Sequence, residues 1–131
     1  MKTILYIGVV ILLNLLKCST SNDLKEIKFG EGGGFTGAMT EYQIKANGEI
    51  FINKSLEKEN RKIKTIRNAD LKNIEKKFSK LSKESLNFNH PGNLYYFIET
   101  DQIKIVWGDP SFPEPSEIKE LYNHLKQVIN N

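Results

Sequence analysis

The side chains that carry most protein chemistry are scarce in this chain. Its 131 residues include one cysteine, two histidines and one tryptophan. The lone cysteine, Cys18, cannot close an internal disulfide, so the fold must hold without one. His90 and His124 have no second imidazole, cysteine or clustered carboxylate at ligand spacing, which removes the usual zinc patterns and leaves a turn histidine and a helix-surface histidine. No G-x-S-x-G, no H-E-x-x-H and no Ser-His-Asp order with local support occurs. Asp109 and Glu114 are close in sequence, yet a loop beside a helix start is an ordinary place for acids that complement the helix dipole. These absences point to a non-enzymatic protein that uses no cofactor and no metal.

Long apolar runs are missing as well. Ile4 to Leu16 follows the positive Lys2 and falls short of the ~20 apolar residues that a membrane-spanning helix needs, so residues 1–17 read as an export signal. At its end, Leu15-Leu16-Lys17-Cys18 resembles the lipobox of bacterial lipoproteins, in which the cysteine is lipidated and becomes the first residue of the mature chain. Leu15 fits that pattern, whereas Lys17 stands where a small residue is usual. Ordinary signal cleavage nearer Ser21 is the alternative. The lipobox resemblance implies an exported, membrane-anchored lipoprotein of the periplasm or cell surface, with Cys18 as the lipidation site and residues 18–23 as a short polar tether. Residues 24–131 then make a single domain, since no repeat and no proline- or serine-rich stretch divides them.

Charge excludes little until its distribution is read. The 19 basic and 16 acidic residues are closer to balance once Lys2 and Lys17 leave with the signal. Between Lys54 and Lys83, however, eleven basic residues face four acidic ones. This is the composition of a solvated helix face with its adjoining loop. It lacks the interleaved aromatics that stack bases, and an exported protein meets little nucleic acid, so no nucleic-acid role is expected. An acidic protein face or anionic lipid headgroups would suit it better.

What is present is a pattern of strands and helices. Leu24 to Phe29 alternates weakly as a first strand, and Gly30-Glu31-Gly32-Gly33-Gly34 should interrupt it, because glycine weakens strand and helix interiors. Thr36 to Ile44 alternates again, and Asn47-Gly48 before Glu49 to Ile52 predicts a hairpin with a type I′ turn. From Asn68, a candidate N-cap, the spacing of Leu71, Ile74, Phe78 and Leu81 predicts an amphipathic helix ending before Asn87. His90-Pro91-Gly92-Asn93 predicts a type II turn. Leu94 to Glu99 and Ile103 to Trp107 then form a second hairpin, with Trp107 as a core anchor. A proline-stiffened loop leads from Gly108 to a terminal helix whose stripe is Ile118, Leu121, Tyr122, Leu125, Val128 and Ile129. The expected fold is α+β, a two-layer domain with a mostly antiparallel sheet of four or five strands and two helices on one face.

Gly32-Gly33-Gly34-Phe35-Thr36-Gly37 formally fits the dinucleotide fingerprint G-x-G-x-x-G. An alternating strand follows it, so the helix that would hold a phosphate is missing and no nucleotide is expected. A tight connection or bulge between strands accounts for such glycines. Their functional reading is that a side-chain-poor loop bearing Phe35 and Thr36 can approach another protein closely, which makes Gly33, Gly34, Phe35 and Thr36 the candidate partner-binding residues.

The succession of this glycine segment, a helix, Tyr95-Tyr96-Phe97, Trp107-Gly108-Asp109 and an apolar terminal helix resembles emfourin-type inhibitors of thermolysin-like metallopeptidases, which carry a comparable G-G-F-x-G segment. The likeness spans most of Phe29 to Ile129, and the export signal and the basic segment Lys54 to Arg67 depart from it. It implies a domain that binds and inhibits a peptidase through the glycine loop. The alternative is a structural or adaptor lipoprotein of the cell envelope that holds an acidic protein or lipid surface with its lysine-rich face.

Overall fold

A computed structural model of the protein describes residues 24–131. The expected signal 1–17, Cys18 and the tether 18–23 lie outside the described residues. Strands β1 (Glu26–Gly33), β2 (Ala38–Lys45), β3 (Glu49–Lys54) and β4 (Glu59–Thr65) come first. Helices α1 (Asn68–Phe78) and α2 (Lys83–Leu86) follow, then β5 (Asn89–His90), β6 (Leu94–Glu99), β7 (Lys104–Trp107) and α3 (Ser116–Asn130). The fold is α+β. Its sheet runs β4-β3-β2-β1-β6-β7-β5 and is antiparallel throughout except where β5 lies parallel to β7.

Among the described residues, seven strands exceed the four or five expected, and three helices exceed two. The two additional strands are edge strands without an apolar alternation. β4 reads Glu-Asn-Arg-Lys-Ile-Lys-Thr, so its pairing with β3 rests on the backbone ladder and on ion pairs such as Lys62 to Glu49 at 2.6 Å. Charged side chains of this kind also protect an edge from pairing with other chains. β5 has two residues and is invisible to a periodicity argument.

One face of the sheet carries the core. Register puts Ile27 and Phe29 of β1 beside Ile44 and Tyr42 of β2 on one side and beside Ile98 of β6 on the other. Ile74 and Phe78 of α1 and Ile118, Leu121 and Leu125 of α3 join the same cluster, together with Ile50, Ile105 and Trp107. Each such side chain removed from water contributes ~1.5–3 kcal/mol before the entropy of ordering is subtracted. Both long helices therefore cover the same face of the sheet.

The glycine run does not interrupt β1. The strand continues through Gly30, Glu31 and Gly32 to Gly33, against expectation, because the packing around it leaves no room for side chains. A Cβ on Gly30 would stand 2.0 Å from the Thr40 carbonyl oxygen, and one on Gly32 would stand 2.7 Å from the Tyr95 hydroxyl. Behind Gly30, the Tyr122 hydroxyl donates to its carbonyl at 3.3 Å, while the ring meets Phe29, Tyr96 and Trp107 edge-on at 5.1–6.0 Å. Edge-to-face aromatic pairs add ~0.5–1.5 kcal/mol beyond area burial. The bare backbone of Gly30 and Gly32 is thus required by β2 and by Tyr95 on the open face, while the aromatic cluster holds the strand from the core side through the Gly30 carbonyl.

Three local expectations are corrected. The β2–β3 turn has only Gly48 at positive φ (82°), with the Gly48 amide donating to the Lys45 carbonyl at 2.8 Å; a three-residue loop ending in a left-handed glycine replaces the type I′ turn. Gly92 is not at positive φ, and it is glycine because a Cβ there would lie 2.4 Å from the Gly108 carbonyl oxygen. The N-cap of α1 is Arg67 and not Asn68, and the helix stops at Phe78, leaving Leu81 in the link to α2.

Candidate functional site

The alternation of strand direction sorts the connections into two poles. The chain enters β1 at one pole, where the β2–β3 and β6–β7 turns also lie. At the opposite pole stand the β1–β2 turn (34–37), the β3–β4 turn (55–58), the β5–β6 link (91–93) and the loop from β7 to α3 (108–115). The four large apolar side chains most exposed among the described residues are Phe35 (107%), Leu56 (67%), Leu94 (61%) and Phe112 (49%). All four stand at this second pole. In the order of the sheet they form a row, Leu56, Phe35, Leu94 and Phe112, with neighbouring strands ~4.8 Å apart.

The row is held from behind. In the β1–β2 turn, the Gly37 amide donates to the Gly34 carbonyl at 3.2 Å, and both glycines have left-handed φ (62° and 72°). The Gly34 amide donates to the Asn93 carbonyl at 2.7 Å, which ties this turn to the neighbouring link. That link is tied onward by the Asp109 amide donating to the His90 carbonyl at 3.1 Å. Asp109 then closes its own loop, accepting from the Ser111 amide at its side chain and from the Phe112 amide at its carbonyl. The Phe112 ring stacks on His90 at 4.1 Å, and His90 meets Phe88 at 4.9 Å. On the other flank, Ser55 and Met39 exchange hydrogen bonds of 3.0 and 2.9 Å that fasten the β3–β4 turn to β2. Loops tied in this way lose little further entropy when a partner binds.

Where β1, β2 and β6 meet this pole the sheet carries a shallow depression of about 340 Å³, lined by Glu31, Gly33, Ala38, Thr40, Leu94 and Tyr96 and reaching Gly32 and Tyr95.

Of the four candidate contact residues, Phe35 is fully exposed and Thr36 exposed in the turn, Gly34 shapes it, and Gly33 closes β1. Tyr96 is turned to the core face and Tyr95 to the opposite face, and Trp107 is buried. Sequence reasoning missed Leu56, Leu94 and Phe112 as surface residues. The available signals were a single leucine inside the charged turn Ser55-Leu56-Glu57-Lys58 and a phenylalanine preceding Pro113.

Gly32 and Gly33 belong to β1, and Gly34 and Gly37 to a turn that feeds β2, so the run leads into a strand and not into a helix. His90 is occupied by aromatic stacking. His124 is half-buried between α3 and α1; burial, with the nearby Lys77, pushes its pKa down, while Asp70 opposes the shift. Among the described residues, no three His, Cys, Asp or Glu side chains gather as a metal site, and no helix is long and apolar enough to cross a membrane.

On the open face of the sheet, Glu41 has its carboxyl pushed up by burial, an effect that Lys28 partly offsets. Glu117 is held below the usual carboxylate range by hydrogen bonds from Ser82 and Ser85, which join the start of α3 to α2. Compared with known proteins, the chain matches no family model and no curated protein.

Proposed function

We propose that the protein is an exported, lipid-anchored binding protein whose loop row docks into a peptidase and blocks it, with no catalysis of its own. The observation that carries this reading is Phe35, a large apolar side chain held wholly in solvent at the tip of a turn framed by Gly34 and Gly37. Such a tip is costly to maintain in water and useful to a protein that must enter another protein's cleft. The flanking Leu94 and Phe112 extend the apolar contact, and the shallow depression lined by Leu94, Tyr96 and Gly33 gives room for a partner's chain. The resemblance to emfourin-type inhibitors supplies the partner class, a thermolysin-like metallopeptidase.

The test is direct. The purified mature protein, mixed in stoichiometric amount with a thermolysin-like enzyme, should slow hydrolysis of a peptide substrate. A panel of metallo- and serine peptidases left untouched at tens of micromolar would remove the inhibitor reading, since even weak specific contacts register in that range.

A second reading, an envelope adaptor, has one observation in its favour. Lys72, Lys76, Lys77 and Lys80 of α1 and its exit have no carboxylate partner among the described residues, unlike Lys54, Arg61, Lys62 and Arg67 nearby. A salt-sensitive interaction that survives loss of Phe35 would favour that surface.

A further inference from the structure

We infer that the pole at which the chain enters β1 is seated on anionic lipid headgroups, so that the loop row points away from the bilayer. This rests on the reading of Cys18 as lipidated and is independent of the peptidase reading. The Ala46 amide donates to the Lys25 carbonyl at 3.0 Å, which fixes the incoming chain and the β2–β3 turn at the same pole, opposite Phe35. The stretch from Cys18 to Leu24 can reach no more than ~20 Å at ~3.3–3.6 Å per residue. β1 alone, at ~3.3 Å per residue from Glu26 to Gly33, is longer. A tether that short holds the entry pole within ~20 Å of the headgroups and excludes an inverted domain with its loop pole down; the charge at the entry pole then selects the upright orientation over one lying on its side.

Charge at the entry pole fits the same surface. Glu26, Glu49, Asp70 and Glu99 are taken up by Lys28, Lys62, Arg67 and Lys104. Lys25, Lys45 and Lys64 form no close ion pair among the described residues, against Asp101 in the β6–β7 turn; Lys45 acts on Glu26 and Glu49 only at longer range and lies over the Phe51 ring at 4.3 Å. Within a Debye length of an anionic leaflet, about 8 Å at physiological salt, such cations are attracted to the surface.

The experiment uses the full processed lipoprotein in vesicles of three parts phosphatidylcholine to one part phosphatidylglycerol, with no peptidase present. A lipidated Cys18 offers no thiol, so an environment-sensitive fluorophore attaches only at Ala46→Cys or, separately, at Thr36→Cys. Nitroxide-headgroup lipid should quench the label at 46 and leave the label at 36 unaffected. Charge reversal at Lys25, Lys45 and Lys64 should reduce quenching at 46 at least about two-fold while the protein stays on the vesicles. Equal quenching at both positions, quenching at 36 alone, or no quenching at 46 would overturn the orientation. Quenching at 46 that ignores charge reversal would overturn the headgroup contact, and failure to float with vesicles would overturn the anchor on which both depend. Fluorescence of each labelled variant without vesicles, compared at matched unfolding midpoints, excludes a folding artefact.

Discussion

The Gly34 amide donates to the Asn93 carbonyl at 2.7 Å, so a turn at one end of β1 is locked to the link entering β6. The consequence reaches Phe35, the next residue. Its backbone is positioned by a bond to a different strand pair, while its side chain touches nothing that would be lost on truncation.

Phe35→Ala with Thr36→Ala should therefore leave stability within ~0.5 kcal/mol of the parent, as surface changes do. Binding to an inhibited peptidase should weaken by ~2 kcal/mol or more, the scale of an interface hot spot. Urea unfolding followed by inhibition titration measures both. A large loss of stability would contradict the exposed position of Phe35, and unchanged inhibition would take the turn out of the contact.

Gly37 separates conformation from space. A Cβ there would meet nothing within 4 Å, yet its φ is 62°. Gly37→Ala should cost ~1 kcal/mol, through backbone strain alone, and Gly37→Asn should recover most of it because asparagine tolerates the left-handed region. Equal unfolding midpoints for the alanine and asparagine variants would show that φ is not what selects glycine.

The comparison of Gly37 with Gly30 marks how far the sequence could be read. Both looked like loop glycines, but one stands in open space and the other inside a strand, where what matters is the Thr40 carbonyl facing it. Tertiary proximity of that kind leaves no local trace. The alternation of Ile103, Ile105 and Trp107 and the helical spacing of Ile118, Leu121 and Leu125 were legible because those side chains are buried on one face. β4 was not, since Lys62 and Lys64 beside Ile63 resemble any solvated segment. At the site, Phe35 was legible from its glycine frame. Leu56 and Phe112 join it only because four strand directions bring their loops to one pole.

Gly30→Ala should be among the most damaging single changes in the domain. The added carbon would meet a backbone oxygen of β2, which can retreat only by opening the ladder between Gly30 and Glu41 and disturbing the Tyr122 hydroxyl bond behind it. A loss above ~3 kcal/mol is expected, in the tail reserved for core overpacking and broken buried contacts. Chemical denaturation decides it; a cost below ~1 kcal/mol would mean that β1 can shift freely.

His124 should make the fold acid-sensitive near neutrality. Its folded pKa lies below the ordinary 6.5, so the unfolded chain takes the proton more readily, and stability falls as pH drops from that value through the folded one. The groups around it pull in opposite senses, Lys77 lowering the pKa and Asp70 raising it. His124→Gln should flatten the stability profile between about pH 7 and 5, a range set by the histidine reference value. Melting curves across that range that remain parallel to the parent's would remove the assignment.

Glu117 should produce a second, lower step. Its carboxylate accepts from the Ser82 amide at 3.0 Å and from the Ser82 and Ser85 hydroxyls, and these bonds hold its pKa below the ordinary 4.5. A depressed carboxylate gives stability that is complete above its unfolded pKa and is lost as pH falls through the folded value. In the parent, unfolding midpoints should therefore decline below about pH 4.5, a reference value the folded carboxylate undercuts. Glu117→Ala should be less stable at neutral pH, because Ser85 is fully buried and its hydroxyl loses its acceptor. Its decline in acid should then be shallower than the parent's. Two pH profiles that differ by a constant offset, with no change of slope in acid, would mean that the serines are satisfied some other way and that Glu117 does not join α2 to α3.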